Sequence, residues 1–208
     1  MFQPAGNSII VRSDGSPDGA GMTLQIDTAT ALLMDTRYVP SPNVDDRPDD
    51  EMSLIVIHGI SLPPGEFGGH YIEQLFTNRL NPNEHPAFVP IADLRVSAHV
   101  LIRRDGELVQ FVPFTHRAWH AGESSYQGRP RCNDFSIGIE LEGTDEIPYE
   151  DNQYQVLATL IACLLRTYSQ LSDKHITGHS DIAPGRKTDP GPAFEWDKLS
   201  HLLAAGLG

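Results

Sequence analysis

The segment Ser136-Ile-Gly-Ile-Glu-Leu-Glu142 alternates, with Ile137, Ile139 and Leu141 on one side and Gly138, Glu140 and Glu142 on the other. A period of two marks a β-strand, whose successive side chains leave opposite faces of a sheet. One face is predicted to meet the core and the other to carry acid. A second apolar run, Ser53 to Ile57, predicts another strand ending in His58-Gly59. Ala98-His-Val-Leu-Ile102 and Glu107-Leu-Val-Gln-Phe-Val112 flank Arg103-Arg-Asp-Gly106, and the Asp105-Gly106 pair supplies the turn of a hairpin.

Elsewhere the period lengthens. Leu157, Ile161, Leu164 and Leu165, with Val156 and Leu160 alongside, recur at helical spacing across a segment that starts at Glu150. Shorter helices are predicted from His70 to about Arg79 and, after Pro192, from Phe194 to Leu203. Gly178 to Gly191 holds too much Gly and Pro for a regular element, and Pro40 to Asp50 reads as a surface loop. The sum is an α/β (α+β) fold, a central mixed sheet with helices packed on it.

The chain has 208 residues, 39% of them hydrophobic, enough for one sizeable core. Residues 1–21 are polar and rich in Gly, Pro, Asp and Ser, so they are expected to be a poorly ordered extension before a single domain over 22–208; Met22 is an alternative start. A formal charge of -13 disfavours nucleic acid and anionic membrane surfaces as partners. The longest apolar run, Leu157 to Leu165, is far short of the roughly 20 residues a membrane span needs. Cys132 and Cys163 make no CxxC pair, and the start lacks the basic and apolar regions of a secretory signal. A soluble, cytoplasmic protein is expected.

Nine histidines, without a phosphate-binding glycine loop, an HExxH helix or a GxSxG elbow, favour metal-assisted chemistry. His58 ends a strand, where side chains from several elements converge. His179 and Asp189 share one Gly/Pro-rich loop that can fold back toward it. Two imidazoles and a carboxylate leave a fourth tetrahedral position of zinc open, as catalytic sites do. Spacing alone leaves open, and favours, the plainer reading of a hydrogen-bonded strand-end histidine beside ordinary loop residues.

Glu140 lies on the acidic strand face, with Gly138 leaving room for a bulky ligand, and near zinc it would serve as general base. A solvated sheet face is the competing reading, and Glu142 the competing residue. The two glutamates, about 7 Å apart along a strand, also match the spacing of an inverting glycosidase pair. Lys187 has the charge to support an oxyanion, and Arg95, Arg103, Arg104 and Arg131 to bind carboxylates, although cations in such settings are usually only solvated. His99, His116 and His120 are left as structural histidines.

Longer motifs narrow these alternatives: His58-Gly-Ile-Ser-Leu-Pro-Pro-Gly-Glu-Phe-Gly-Gly69, Val96-Ser-Ala-His99, Ala118-Trp-His-Ala-Gly122, Cys132-Asn-Asp-Phe-Ser-Ile-Gly-Ile-Glu-Leu-Glu-Gly143 and Gly178-His-Ser-Asp-Ile-Ala-Pro-Gly-Arg-Lys-Thr-Asp-Pro-Gly191. In this order, over about Val39 to Leu203, the chain resembles the AmpD family of N-acetylmuramoyl-L-alanine amidases, of amidase type 2 and peptidoglycan-recognition-protein-like fold. The resemblance implies one zinc ion held by His58, His179 and Asp189, with Glu140 as catalytic acid/base and Lys187 assisting. It also implies muropeptide contacts from Arg95, Arg131 and Trp119. The implied substrate is a small soluble 1,6-anhydro-muropeptide of cytoplasmic peptidoglycan recycling, cut between the lactyl group and L-alanine, with no obligate protein partner. Two positions depart from the pattern: Gly59, where relatives often carry asparagine, and Ser180, where they often carry cysteine. A non-catalytic recognition module on the same fold is the remaining rival, although such relatives typically lack a zinc ligand.

Overall fold

The computed structural model describes residues 23–206. The expected extension over 1–21 lies outside the described residues. Six strands form the main sheet: β1 (Arg37–Tyr38), β2 (Leu54–Ile60), β3 (Val100–Ile102), β4 (Leu108–Gln110), β5 (Ser136–Glu142) and β6 (Ile176–Gly178). Their spatial order is β6-β2-β5-β3-β4-β1. Every neighbouring pair is parallel except the β3–β4 hairpin, so the sheet is mixed, as its alternation and turn chemistry imply. Gly106 takes the hairpin's positive φ of 88°, and the Asp105 carboxylate accepts the Glu107 N–H at 3.0 Å.

β5 has the predicted bounds, but its acidic face is not solvated: all seven of its residues are buried. A strand parallel to neighbours on both sides is covered on both faces, and a sequence period reports only which side chains share a face. β2 runs three residues past the predicted Ile57 end, so His58 sits inside the strand rather than at its tip.

Helices α1 (Tyr71–Phe76), α2 (Asp151–Thr167), α3 (His179–Ile182) and α4 (Trp196–Gly206) complete the fold. α2 begins where its pattern predicts, with the Gln153 side chain accepting the Glu150 N–H at 3.0 Å. Gln153 also donates to the carbonyls of Ile102 and Glu142, tying the helix to the ends of β3 and β5. Together α2 and α4 cover the face bearing Ile55, Ile57, Ile137, Ile139 and Leu141.

Two helix expectations fail at their ends. α1 stops before the predicted Arg79 because Asn78 adopts a positive φ of 58° and exchanges amide hydrogen bonds with Asn43. α4 starts at Trp196, two residues after Phe194, whose ring is buried in the core. The 178–191 segment, expected to be irregular throughout, contains the single turn of α3; Asp181 stabilises its start by accepting from the Gly178 N–H and the Thr177 hydroxyl, both at 3.0 Å. Within the expected 40–50 loop, Val44–Asp46 pairs antiparallel with His116–Ala118. No described helix is long and apolar enough to cross a membrane.

Candidate metal centre and catalytic carboxyl

β2 and β5 pair in parallel with His58 directly opposite Glu140, so the two side chains stand next to each other on one sheet face. That face, opposite the α2/α4 side, is covered over β2 and β5 by residues 118–135 and α3, and at β3 and β4 by α1. α3 follows β6 immediately, which delivers His179 beside His58. The rest of the loop then closes on itself: the Ser180 N–H donates to the Asp189 carbonyl at 2.9 Å, and the Tyr149 hydroxyl holds the Pro190 carbonyl at 2.9 Å. The fold-back expected of this loop is thus held by bonds to its own backbone carbonyls.

The outcome is a convergence of three ligand atoms. His58 Nδ1 and His179 Nδ1 are 3.0 Å apart, and Asp189 Oδ2 lies 3.2 Å from the first and 3.1 Å from the second. Ligands about 2.0 Å from a tetrahedral ion stand roughly 3.3 Å from each other, so the three atoms match one face of such a tetrahedron. The donor set fits as well. His58 and His179 are 1% and 3% exposed, and burial pushes the His58 imidazole down to about 4, so it is neutral at pH 7 as a ligand must be. Among the described residues this is the one group of three or more His, Cys, Asp or Glu with the geometry to hold a metal ion.

Glu140 is 8% exposed, and its Oε2 is fully buried with no hydrogen-bond partner among the described residues. Burial, and then the negative charge of Asp189, push its carboxyl well above the usual range; Lys187 pulls the other way. Glu142, its competitor, is engaged: it accepts the Gly68 N–H at 2.7 Å and the Arg104 N–H at 3.3 Å, and lies 3.6 Å from Arg103. It borders a cavity of about 480 Å³ whose Arg37, Arg103, Glu73 and Glu107 are paired with one another. A glycosidase pair needs two available carboxyls, and only Glu140 is one.

Lys187 is exposed, close enough for its charge to bear on Glu140 and His58. Arg95 is exposed, its guanidinium meeting only the Leu94 carbonyl at 3.4 Å among the described residues. Arg131 is exposed at a positive φ of 63° and pairs with Asp134 at 3.0 Å. Trp119 is half-buried, its indole N–H held by Asp45 at 3.0 Å. Gly59 has a steric reason: a Cβ there would overlap the Tyr149 hydroxyl, so asparagine would force Tyr149 aside. Ser180 serves the site through its backbone N–H, which any residue but proline supplies.

Two expectations about neighbours need correction. The space over Gly138 is not open to a ligand, because the His120 ring lies against it and a Cβ there would overlap the ring. His120 itself is no generic structural histidine: its Nδ1 sits 2.9 Å from His58 Nε2. That pair is separated by 62 positions, so no local period reveals it. The usable signal was Gly138, a glycine inside an otherwise apolar strand. His99 does fit the structural reading, accepting the Gly138 N–H at 3.0 Å and bonding the His116 carbonyl at 3.0 Å, and His116 is exposed.

On one face of a mixed sheet, two buried histidines and the partly exposed Asp189 thus stand beside the buried carboxyl of Glu140, a set that fits a hydrolase. A family model described as N-acetylmuramoyl-L-alanine amidase matches residues 48–192. The 1,6-anhydro-N-acetylmuramyl-L-alanine amidase AmpD of Salmonella typhimurium (strain SL1344) is 62% identical over 173 residues, 83% of this chain and 92% of that one. A crystal structure of a selenomethionine AmpD derivative superposes with a TM-score of 0.83 at 60% identity, covering 86% of this chain and 98% of that one. The amidase AmiD of Escherichia coli, solved with anhydro-N-acetylmuramic acid-L-Ala-D-γ-Glu-L-Lys, superposes with a TM-score of 0.52 at 28% identity, covering 85% of this chain and 65% of that one. The chain belongs to the N-acetylmuramoyl-L-alanine amidase family, and is an enzyme that hydrolyses a C–N amide bond.

Proposed function

We propose that the chain is a zinc-dependent amidase that hydrolyses the bond between the lactyl carbonyl of 1,6-anhydro-N-acetylmuramic acid and L-alanine, acting on small soluble muropeptides in the cytoplasm during peptidoglycan recycling. The observation that carries the reading is the convergence of His58 Nδ1, His179 Nδ1 and Asp189 Oδ2 at 3.0–3.2 Å beside the unpartnered carboxyl of Glu140. The names of the Salmonella and E. coli relatives support the substrate class.

His58, His179 and Asp189 would hold the zinc. When bound, zinc acts as a Lewis acid that lowers the pKa of water to about 7 and polarises a carbonyl oxygen. Glu140 takes a proton from the attacking water as the new C–O bond forms at the lactyl carbon. The raised affinity of a buried carboxyl for its proton suits the next step, in which Glu140 delivers that proton to the alanine nitrogen as the C–N bond breaks. Lys187 extends its ammonium toward the oxyanion of the tetrahedral intermediate. Arg95 and Arg131 offer exposed guanidinium groups to the stem-peptide carboxylates, and the partly exposed Trp119 ring offers an apolar surface next to His120.

The test is mass-resolved product analysis on anhydro-muramyl tripeptide, with and without a chelator. Release of free tripeptide that stops on chelation supports the reading. Intact substrate despite measurable binding would replace it with a recognition module, and chelator-resistant cleavage would remove zinc from the mechanism.

A further inference from the structure

The segment Ala118 to Gly122 supplies a partner to the outer nitrogen of both histidines at the centre. The Ala121 carbonyl lies 3.2 Å from His179 Nε2; a carbonyl only accepts, so Nε2 carries a proton, and in the neutral ring that a metal ligand requires the lone pair is on Nδ1. For His58 the same result arises through a chain of three groups. The Ser136 hydroxyl has one proton and sits 2.6 Å from the Cys132 carbonyl, which commits that proton. Toward His120 Nε2, 3.1 Å away, Ser136 Oγ can then only accept. His120 therefore carries its proton on Nε2 and presents a bare Nδ1 to His58 Nε2 at 2.9 Å. His58 must donate there, which leaves its own Nδ1 lone pair facing His179 and Asp189.

The backbone of this segment is fixed as well. The N–H groups of His120 and Ala121 both donate to Asn133 Oδ1, at 3.1 and 2.8 Å. Arg186 grips the Ala121 carbonyl at 2.6 Å and the Glu123 carbonyl at 2.5 Å. The His120 ring is confined from below by Gly138.

We propose that His120 and the Ala121 carbonyl form a positioning device that sets the tautomer and ring orientation of His58 and His179, with Ser136 in turn setting His120. The proposal rests on the zinc reading of the centre. Groups that hold the second nitrogen of a ligating histidine fix its orientation, and their removal typically lowers metal affinity by about 10–100-fold. His120 is a positioning residue: it reaches the metal position only through His58.

Zinc dissociation constants from competition with a chromophoric chelator test this on the full chain. His120→Phe keeps a ring but no acceptor and is expected to weaken zinc by about 10–100-fold. His120→Asn returns an acceptor at the Nδ1 position and is expected to recover most of that loss, which mere filling of space would not do. Ser136→Ala, a one-atom change that the core tolerates, is expected to show an intermediate loss. Long-range ¹H–¹⁵N spectra of zinc-loaded wild-type protein are expected to report the Nε2–H tautomer at His58, His120 and His179. Wild-type affinity in His120→Phe, or in Ser136→Ala should His120→Phe not fold, overturns the proposal. So does an Asn variant no better than Phe, or an Nδ1–H tautomer at His120. A wild-type chain that binds no zinc is a different failure, that of the zinc reading.

Discussion

Glu140 and Glu142 leave the same strand on the same face, yet their surroundings divide their chemistry. Glu142 is consumed by two backbone N–H groups and the nearby Arg103, whereas Glu140 keeps one oxygen without a partner in a buried setting. Glu140→Gln, similar in shape but unable to shuttle a proton, is expected to lower kcat by about 10²–10⁴-fold while zinc content stays at one ion per chain; turnover assays and metal analysis on the same sample check both halves. Lys187→Ala is expected to slow turnover by about a hundredfold, near 3 kcal/mol in the barrier, and unchanged kcat would remove Lys187 from the oxyanion. The sequence distinguished neither glutamate on spacing alone. What separates them is partners from residues 68 and 103–104, contacts that no period encodes. The ligands were more legible, since His179 and Asp189 share one loop and His58 ends an apolar run. The relay through Ser136 and His120 was not, because it links three segments through hydrogen-bond direction.

At the scale of elements, the bounds of β5 are legible from its period of two and the start of α2 from a helical period joined to the Glu150–Gln153 cap, whereas α1 stops and α4 starts where tertiary contacts set them. The Asn78–Asn43 amide exchange that ends α1 spans 35 positions. β5 also shows why Gly138 is needed. Gly138→Ala would push a methyl into the His120 ring and is expected to cost about 1–3 kcal/mol in a urea titration, against almost nothing at an open strand glycine such as one with a free face. A second element-scale prediction comes from Glu73 on α1, where hydrogen bonds from Arg37, followed by those from Arg103, hold the carboxyl down at about 2 against an ordinary 4.5. Because the folded value lies below the unfolded one, its stabilisation is full above pH 4.5 and disappears as pH falls toward 2. Arg37 is partly exposed, so the contribution is limited to about 2 kcal/mol or less. Glu73→Gln is expected to flatten the fall in urea midpoint between pH 4.5 and 2; a slope equal to that of the parent would show that the ion pair contributes nothing.

In the whole molecule the candidate site lies where one sheet face meets an irregular layer. The face toward α2 and α4 is a largely apolar core, and its periodic sequence makes it readable. The opposite face is covered at β3 and β4 by α1 and residues 80–96, and over β2, β5 and β6 by residues 118–135 and the 178–191 loop, whose shape depends on side-chain-to-backbone bonds such as those to Asn133 and Asp181, and these leave little pattern in a sequence. On the proposed zinc reading, the convergence of three ligand atoms there makes metal and fold interdependent. At zinc about a hundredfold above its dissociation constant the gain is about 2.7 kcal/mol, expected to raise Tm by roughly 5–10 °C; an identical Tm with and without chelator would contradict that coupling. The most direct test of the central claim is hydrolysis of anhydro-muramyl tripeptide in H₂¹⁸O, because it reports which bond water attacks. The account predicts one ¹⁸O in the lactyl carboxylate of the released sugar, none in the peptide, and no reaction in chelator. Label at a sugar hydroxyl or in the peptide, or labelling that persists in chelator, would contradict it.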